Sequence, residues 1–349
     1  MLVKDIANVN PLSKQKYNNF INYIDTSSVY DGKLLNIQKI HSNFPSRAQR
    51  IIGINDILIS SVRPNLLHNY FINKNINNGV ASSGFIHIRV KDNLINPRFL
   101  YYFLTSHNNI SLYSAIAESS QTTIPSFNKD VIENLELPDI SVSKQLLIVD
   151  IIGSLDNKIE NNNKIINKLW QKLQLIHTDF KNKNELVEKN ILELADIKYG
   201  KGIPTSEILK DGLYSVYGSN GIIGYLNNYT FKEHKIAISC RGNSSGIIHL
   251  TDENSTVTSN SLVLDFKNFD YTYYFFLEFM YKGLYEYKTG SAQPQITIDN
   301  LKILNLQVPK NINDYIKNIN DSVEYTFCLK KENQKLFLLK QFYLKKFFG

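Results

Sequence analysis

Cysteine is nearly missing from this 349-residue sequence, where Cys240 and Cys328 stand far apart in no metal-ligand spacing. That excludes a disulfide framework or a cysteine-held zinc site and suits a reduced, cytoplasmic protein. No uncharged apolar run approaches the ~20 residues that span a bilayer. The opening MLVKDIANVNPLSK has no apolar core of a secretion signal, so no membrane partner is expected. Catalytic signatures are missing too. The sequence has no Asn-Pro-Pro-aromatic or Asp-Pro-Pro-Tyr methyltransferase tetrapeptide and no G-x-x-x-x-G-K-[ST] loop for ATP. Its seven histidines form no H-E-x-x-H and no Cys/His cluster. The expectation is a chain that is not an enzyme and holds no metal or cofactor of its own.

Charge of one sign is not in large excess. There are 39 basic and 32 acidic residues, a net charge of +7 and a pI near 9.0. Residues 1–143 carry 13 basic and 10 acidic side chains, and residues 185–312 carry 12 and 14. The surplus lies partly in 144–184 and 313–349, each with 7 basic and 4 acidic. Such a balance is compatible with nucleic acid without requiring it. A hydrophobic content of 43%, with 12% aromatic, supplies real cores. The length suits two domains with connecting elements.

What the sequence does contain is an ordered internal duplication. Ser61-Val62-Arg63-Pro64-Asn65 recurs as Ser239-Cys240-Arg241-Gly242-Asn243, each after an apolar strand-like run. Ala81-Ser82-Ser83-Gly84 recurs as Val257-Thr258-Ser259-Asn260, and Tyr101-Tyr102-Phe103-Leu104 as Tyr273-Tyr274-Phe275-Phe276. Ser120–Ile124 aligns with Ala292–Ile296, and Asn134–Pro138 with Asn305–Pro309. Short β-branched runs and Gly/Asn/Ser turns such as Gly218-Ser219-Asn220-Gly221 point to strand-rich modules with a helix or two.

Each repeat ends in a helix. Ile148, Leu155, Asn162, Leu169 and Ile176 are spaced by seven, and Ile152, Ile159, Ile166, Leu173 and Phe180 form a second row four residues on. This is a coiled-coil seam about 50 Å long at about 1.5 Å per residue, with Asn162 as a polar, register-setting interruption. Trp170 is expected to pack beside it. The second helix carries a looser stripe of Ile316, Ile319, Val323, Phe327, Leu336, Leu339 and Tyr343. Two such seams bury most simply against each other, antiparallel, or against a partner. The expected fold is α+β: two tandem α/β domains (1–143 and 185–312), joined by two long antiparallel helices (144–184 and 313–349), with an internal pseudo-two-fold repeat.

Tyr217–Tyr225, the arginine-bearing strand ends, the run Leu58–Leu67 and Gly290–Ile296 together resemble the target recognition domains of type I restriction-modification specificity subunits. The order of domain, long helix, domain, long helix resembles that family over essentially the whole chain. The resemblance implies that each domain reads one half of a bipartite double-stranded DNA site. It implies that the helices set the unread spacer and dock two modification subunits. Restriction subunits would join that complex, and S-adenosylmethionine, ATP and Mg2+ would belong to the partners.

Base reading needs exposed arginine for guanine and asparagine or glutamine for adenine, with Ser and Thr adaptable. The candidates in the first repeat are Arg63, Asn65, Ser83, Gln121, Thr122 and Thr123. Those in the second are Lys201, Ser219, Asn220, Arg241, Asn243, Ser259, Gln293 and Gln295. Lys201, Ser219 and Asn220 lie in Gly-rich turns where backbone comes close to phosphate; the glycine spacing is not that of a nucleotide fingerprint. The helix-pairing and partner face comprises Ile148, Ile152, Leu155, Ile159, Asn162, Ile166, Leu169, Leu173, Val323, Phe327, Leu336 and Leu339. Arg63 and Arg241 occupy the same place in this alignment, as do Gln121 and Gln293, and residues common to two readers of different sequences can equally be scaffold. The alternatives are a specificity chain for a fused methyltransferase–nuclease and a coiled-coil scaffold that binds only protein.

Overall fold

The computed structural model describes residues 1–349 except 13–18, 92–94, 121–123 and 291–292, and except the side chain of Tyr281. The chain divides into two compact units, one of Met1–Glu160 with Asn333–Gly349, the other of Asn161–Glu332.

The first unit opens with one helical turn, α1 (Val3–Ile6). Its two larger sheets use β1 (Ala7–Val9), β2 (Ile21–Ile24), β3 (Gln38–Ile40), β4 (Ala48–Ile51), β5 (Ile57–Ser60), β6 (Asn69–Phe71), β7 (Gly79–Ser82) and β8 (Phe85–Val90). One sheet, in the order β1-β8-β5-β6, is antiparallel throughout; the other, β3-β2-β7-β4, pairs β2 with β7 in parallel. The continuous apolar run of β5 is buried on both faces, as such a run requires. Ile57 and Ile59 join the core under the helices, while Leu58 points to the other side with Ile24, Ala81 and Phe85. Helices α2 (Pro97–Leu104), α3 (His107–Ser119) and α4 (Lys129–Glu133) follow. Asn96 caps α2 through bonds accepted from the amides of Arg98 and Phe99, with Pro97 at the first helical position. Phe99, Leu100, Tyr101 and Tyr102 of α2 are buried in the core.

Helix α5 runs from Val142 to Lys183, 42 residues or about 63 Å. The second unit then contains β9 (Leu186–Asn190), α6 (Ile191–Leu194), β10 (Ala195–Tyr199), β11 (Tyr214–Gly218), β12 (Gly221–Leu226), β13 (Ile236–Ser239), β14 (Ile248–Leu250), β15 (Thr256–Val257) and β16 (Ser261–Phe266). Next come α7 (Asp270–Lys282), α8 (Ile298–Lys302), β17 (Asn305–Pro309) and the long α9 (Asn313–Phe348). The topology repeats the first unit. The antiparallel sheet β10-β16-β13-β14 matches β1-β8-β5-β6, and β12-β11-β15, with β11 parallel to β15, matches β3-β2-β7. Again Ile236 and Ile238 face the helices and Ala237 faces the second sheet.

Hydrogen bonds correct the register of the duplication. The amide of Ser60 donates to His68 and that of Ser239 to Ile247; Phe127 donates to the carbonyl of Ser61 and Ile296 to that of Cys240. Val62 bridges Ser126, and Arg241 bridges Gln295. Ser60 is therefore the counterpart of Ser239, Val62 of Arg241, and Arg63 of Gly242, one residue away from the sequence alignment. The backbone agrees, because Arg63 (φ 45°) and Gly242 (φ 69°) share the left-handed turn. Near the end of each repeat the shift is larger. Val3 donates to Leu135 and Ile191 to Leu304, which makes Leu135 the counterpart of Leu304 and Pro125 that of Pro294. Short Ser- and Leu-rich strings fit two registers equally well in sequence, and only the hydrogen bonds choose.

One ion pair is repeated with its charges exchanged. Asp56, at the entry to β5, binds Arg89 of β8 at 2.6 and 2.8 Å. Lys235, at the entry to β13, binds Asp265 of β16 at 2.7 Å. Burial opposes ionisation of Asp56, but hydrogen bonds from Arg89 and His87 outweigh it and hold the carboxyl below its ordinary value. Asp265 is likewise held low, against burial, by Lys198 and Lys235.

Each unit takes one half of both long helices, and within each unit the halves run antiparallel. In the second unit Asn162 donates to Glu332 at 2.7 Å while His177 meets the Tyr315 hydroxyl at 2.9 Å. In the first unit Lys340 pairs with Asp156 at 2.8 Å, and Phe347 and Phe348 share a cleft with Val142 and Gln145. On α5, Ile148, Ile152, Asn162, Ile166 and Leu173 are buried and Leu155, Ile159 and Leu169 are half-buried. On α9, Val323 and Phe327 are buried and Leu336 is half-buried, but Leu339 is 41% exposed. The expected stripe misses Leu339 because the helix turns Lys340, Leu344 and Phe348 inward instead. A lysine is tolerated on that face because Asp156 neutralises it. Trp170 packs edge-on against Phe276 at 5.4 Å.

Candidate nucleic-acid interface

In the second unit, loops that are distant in sequence meet along one rim. Gly200 follows β10, and a Cβ there would collide with the carbonyl oxygens of Val257 and Thr258, so glycine is what lets the strands close. Lys201 then donates its amide to Val257 at 2.8 Å, and Ser259 donates to the Lys201 carbonyl at 3.0 Å. The tip of the β11–β12 hairpin, Ser219-Asn220, is tied to the loop after β13. The hydroxyl of Ser239 donates to the Ser219 carbonyl, and the hydroxyl of Ser244 donates to Asn220 Oδ1 at 2.6 Å. Ser245 donates to the carbonyls of Gly242 (2.7 Å) and Pro294 (2.9 Å), and Arg241 bridges Gln295. The rim thus collects all eight candidates of the second repeat. Lys201, Asn220, Arg241, Asn243, Gln293 and Gln295 are exposed, and Ser219 and Ser259 are half-buried.

Next to Lys201 is a cleft of about 500 Å³ lined by Lys198, Tyr199, Thr230, Phe231, Lys232 and Lys235, among others. Lys198 and Lys235 are neutralised on Asp265, and Lys198 also lies 5.3 Å from the Phe231 ring centroid. Lys201 and Lys232 have no ion-pair partner among the described residues, so the cleft presents net positive charge to an anion.

The first unit builds the corresponding rim with fewer residues. The amide and hydroxyl of Ser61 both donate to Gly84, the Arg63 amide donates to Pro125 at 3.0 Å, and the Ser83 amide donates to Arg47 at 2.7 Å. Arg63 and Asn65 are exposed and Ser83 is half-buried. Gln121, Thr122 and Thr123 lie outside the described residues, as do Ser291 and Ala292 of the Gly290–Ile296 segment. Sequence reasoning missed Arg47. Its carbonyl receives Ser83 as that of Lys201 receives Ser259, so each unit has an exposed basic residue at that point. The strands reach it in opposite directions, Ala48 pairing antiparallel with Ser82 and Lys201 bridging Thr258 in parallel, and no string similarity links them.

The arrangement offers guanidinium, ammonium, amide and hydroxyl groups on a fixed edge, which is the equipment for binding a polyanion and reading donor and acceptor patterns. Among the described residues no group of three or more His, Cys, Asp or Glu is placed to hold a metal. No helix among them is long and apolar enough to cross a membrane.

The family model described as the type I restriction modification DNA specificity domain matches the chain twice, over residues 2–171 and 183–340. The specificity subunit of the type I restriction enzyme HindI from Haemophilus influenzae is 32% identical over 155 residues, 44% of this chain and 34% of that protein. The MjaVIII specificity subunit from Methanocaldococcus jannaschii is 25% identical over 209 residues, 55% of this chain and 46% of its own length. The matches therefore span between about a third and a half of those curated relatives. In fold, the crystal structure of a type I restriction-modification S subunit from M. genitalium superposes with a TM-score of 0.60. It does so at 16% identity, covering 100% of this chain and 95% of that one.

Proposed function

The chain belongs to the type I restriction modification DNA specificity domain family, and from that premise we propose that each of its units is a target recognition domain reading one half of a bipartite duplex site. The two long helices set the unread gap and dock two modification subunits. Adenine methylation with S-adenosylmethionine, and the ATP- and Mg2+-dependent work of restriction subunits, belong to those partners. This chain is the reader and not the catalyst. Readers on one face of B-DNA engage half-sites about one helical turn, ~34 Å, apart, a distance that helices of this length can span.

The observation that carries the reading is the rim built twice on the same topology, each with an exposed basic residue tied to the same serine position. A scaffold binding only protein has no use for two such edges. Selection from a random duplex library, using the chain assembled with its modification subunit, is the test. Two short fixed blocks separated by a constant gap are expected. A single continuous block would remove the two-reader arrangement, and no enrichment from a soluble assembly would remove DNA reading altogether.

A further inference from the structure

Arg63 and Arg241 are not copies of one another. In the corrected register Arg63 is the counterpart of Gly242, and Arg241 is the counterpart of the half-buried Val62. Arg63 adopts φ 45°, a conformation in which any side chain suffers steric opposition and which its counterpart meets with glycine. Its guanidinium makes no hydrogen bond or ion pair among the described residues, so no such bond among them accounts for arginine there. Arg241 has its backbone fixed in the bridge to Gln295, and its exposed side chain is equally without such a partner among the described residues. By contrast, Arg47 and Lys201 are basic in both units at the same hydrogen-bonded place.

A contact to phosphate carries no sequence information and can be common to two readers, whereas contacts that tell two different half-sites apart lie where the readers differ. Resting on the two-reader function above, we propose that Arg63 and Arg241 are specificity-determining residues, each reading a guanine in the half-site of its own unit, while Arg47 and Lys201 hold phosphates. The guanidinium fork matches the O6 and N7 acceptors of guanine in the major groove. One-residue displacement of the arginine between units would let the same scaffold address different positions.

The test repeats the library selection on the assembled complex with Arg63→Gly, Arg241→Val and Lys201→Ala. The first two install what the other unit has at each place, and melting curves verify folding. Arg63→Gly is expected to flatten the guanine preference at one position of one block by roughly 10- to 100-fold, leaving the other block intact. Arg241→Val should do the same in the other block alone. Lys201→Ala should weaken all sequences alike and reduce the slope of log affinity against log salt by about 1. If the arginine variants weaken every sequence alike, or change nothing, the assignment is overturned while two-block recovery by the wild type leaves the general function standing. A wild-type complex that recovers no paired blocks overturns the function and the assignment with it.

Discussion

Arg63 stands in a left-handed turn, and the energetic sign of replacing it differs from that of most surface arginines. Relief of the steric cost, about 1–2 kcal/mol, exceeds the extra chain entropy that glycine brings, about 0.5–1 kcal/mol. Arg63→Gly is therefore expected to hold or slightly raise the melting temperature, and a clear fall would show that the arginine has a structural task. Gly200→Ala should act oppositely, costing about 2–3 kcal/mol, because the new methyl meets fixed backbone oxygens. Chemical denaturation of the full chain measures both. Asp56 adds a pH dependence. Its carboxyl titrates lower in the folded chain than in the unfolded one, so its contribution is complete above about pH 4 and is lost as pH falls through the depressed value. Asp56→Asn should lower stability at pH 7 by about 2 kcal/mol and shrink the gap between wild type and variant in acid; an unchanged gap at pH 3 would contradict the assignment. At this scale the sequence singles out Arg63 and Arg241 but misaligns them. The string around each fits two registers, and the strand bonds that decide lie between residues far apart. Arg47 was invisible because its likeness to Lys201 is geometric, through the serines that bind their carbonyls.

The long helices were the most legible elements, since a seven-residue period over five turns of repeat has few other readings. In the structure α5 runs from Val142 to Lys183 and α9 from Asn313 to Phe348. What periodicity did not show is which apolar residue of α9 leaves the seam. Leu339 turns outward because Lys340, paired with Asp156, takes the inward position, and a charged residue on a buried face is recognisable only once its counter-ion is in place. Asn162 gives a second test. Its amide donates to Glu332 within the seam, so Asn162→Leu removes that hydrogen bond and is expected to cost about 1–2 kcal/mol. In the double variant with Glu332→Leu the two losses should be less than additive. Thermal melts of the four combinations supply the cycle, and simple additivity would show that the two side chains are not coupled.

For the whole molecule, the proposed function makes the halves exchangeable. Replacing residues 1–143 with the first domain of another family member should alter one block of the DNA target and leave the other, and a change in both would end the modular account. Adding one heptad to each long helix should widen the unread gap by about 10 Å, or three base pairs; an unchanged gap would rule out the ruler. A duplicated chain also faces a hazard of its own, because a strand can pair with the wrong copy of its neighbour while folding. The exchanged ion pair bears on this. Were β8 to settle on β13, Arg89 would meet Lys235; were β16 to settle on β5, Asp265 would meet Asp56. Each misplacement puts like charges together, so the polarity marks these four strands with the half to which each belongs. Giving the second unit the polarity of the first, with Lys235→Asp and Asp265→Arg, together with Lys198→Gln to remove the lysine that also pairs with Asp265, should leave the exchanged pair matched yet lower the yield of monomer on refolding from urea.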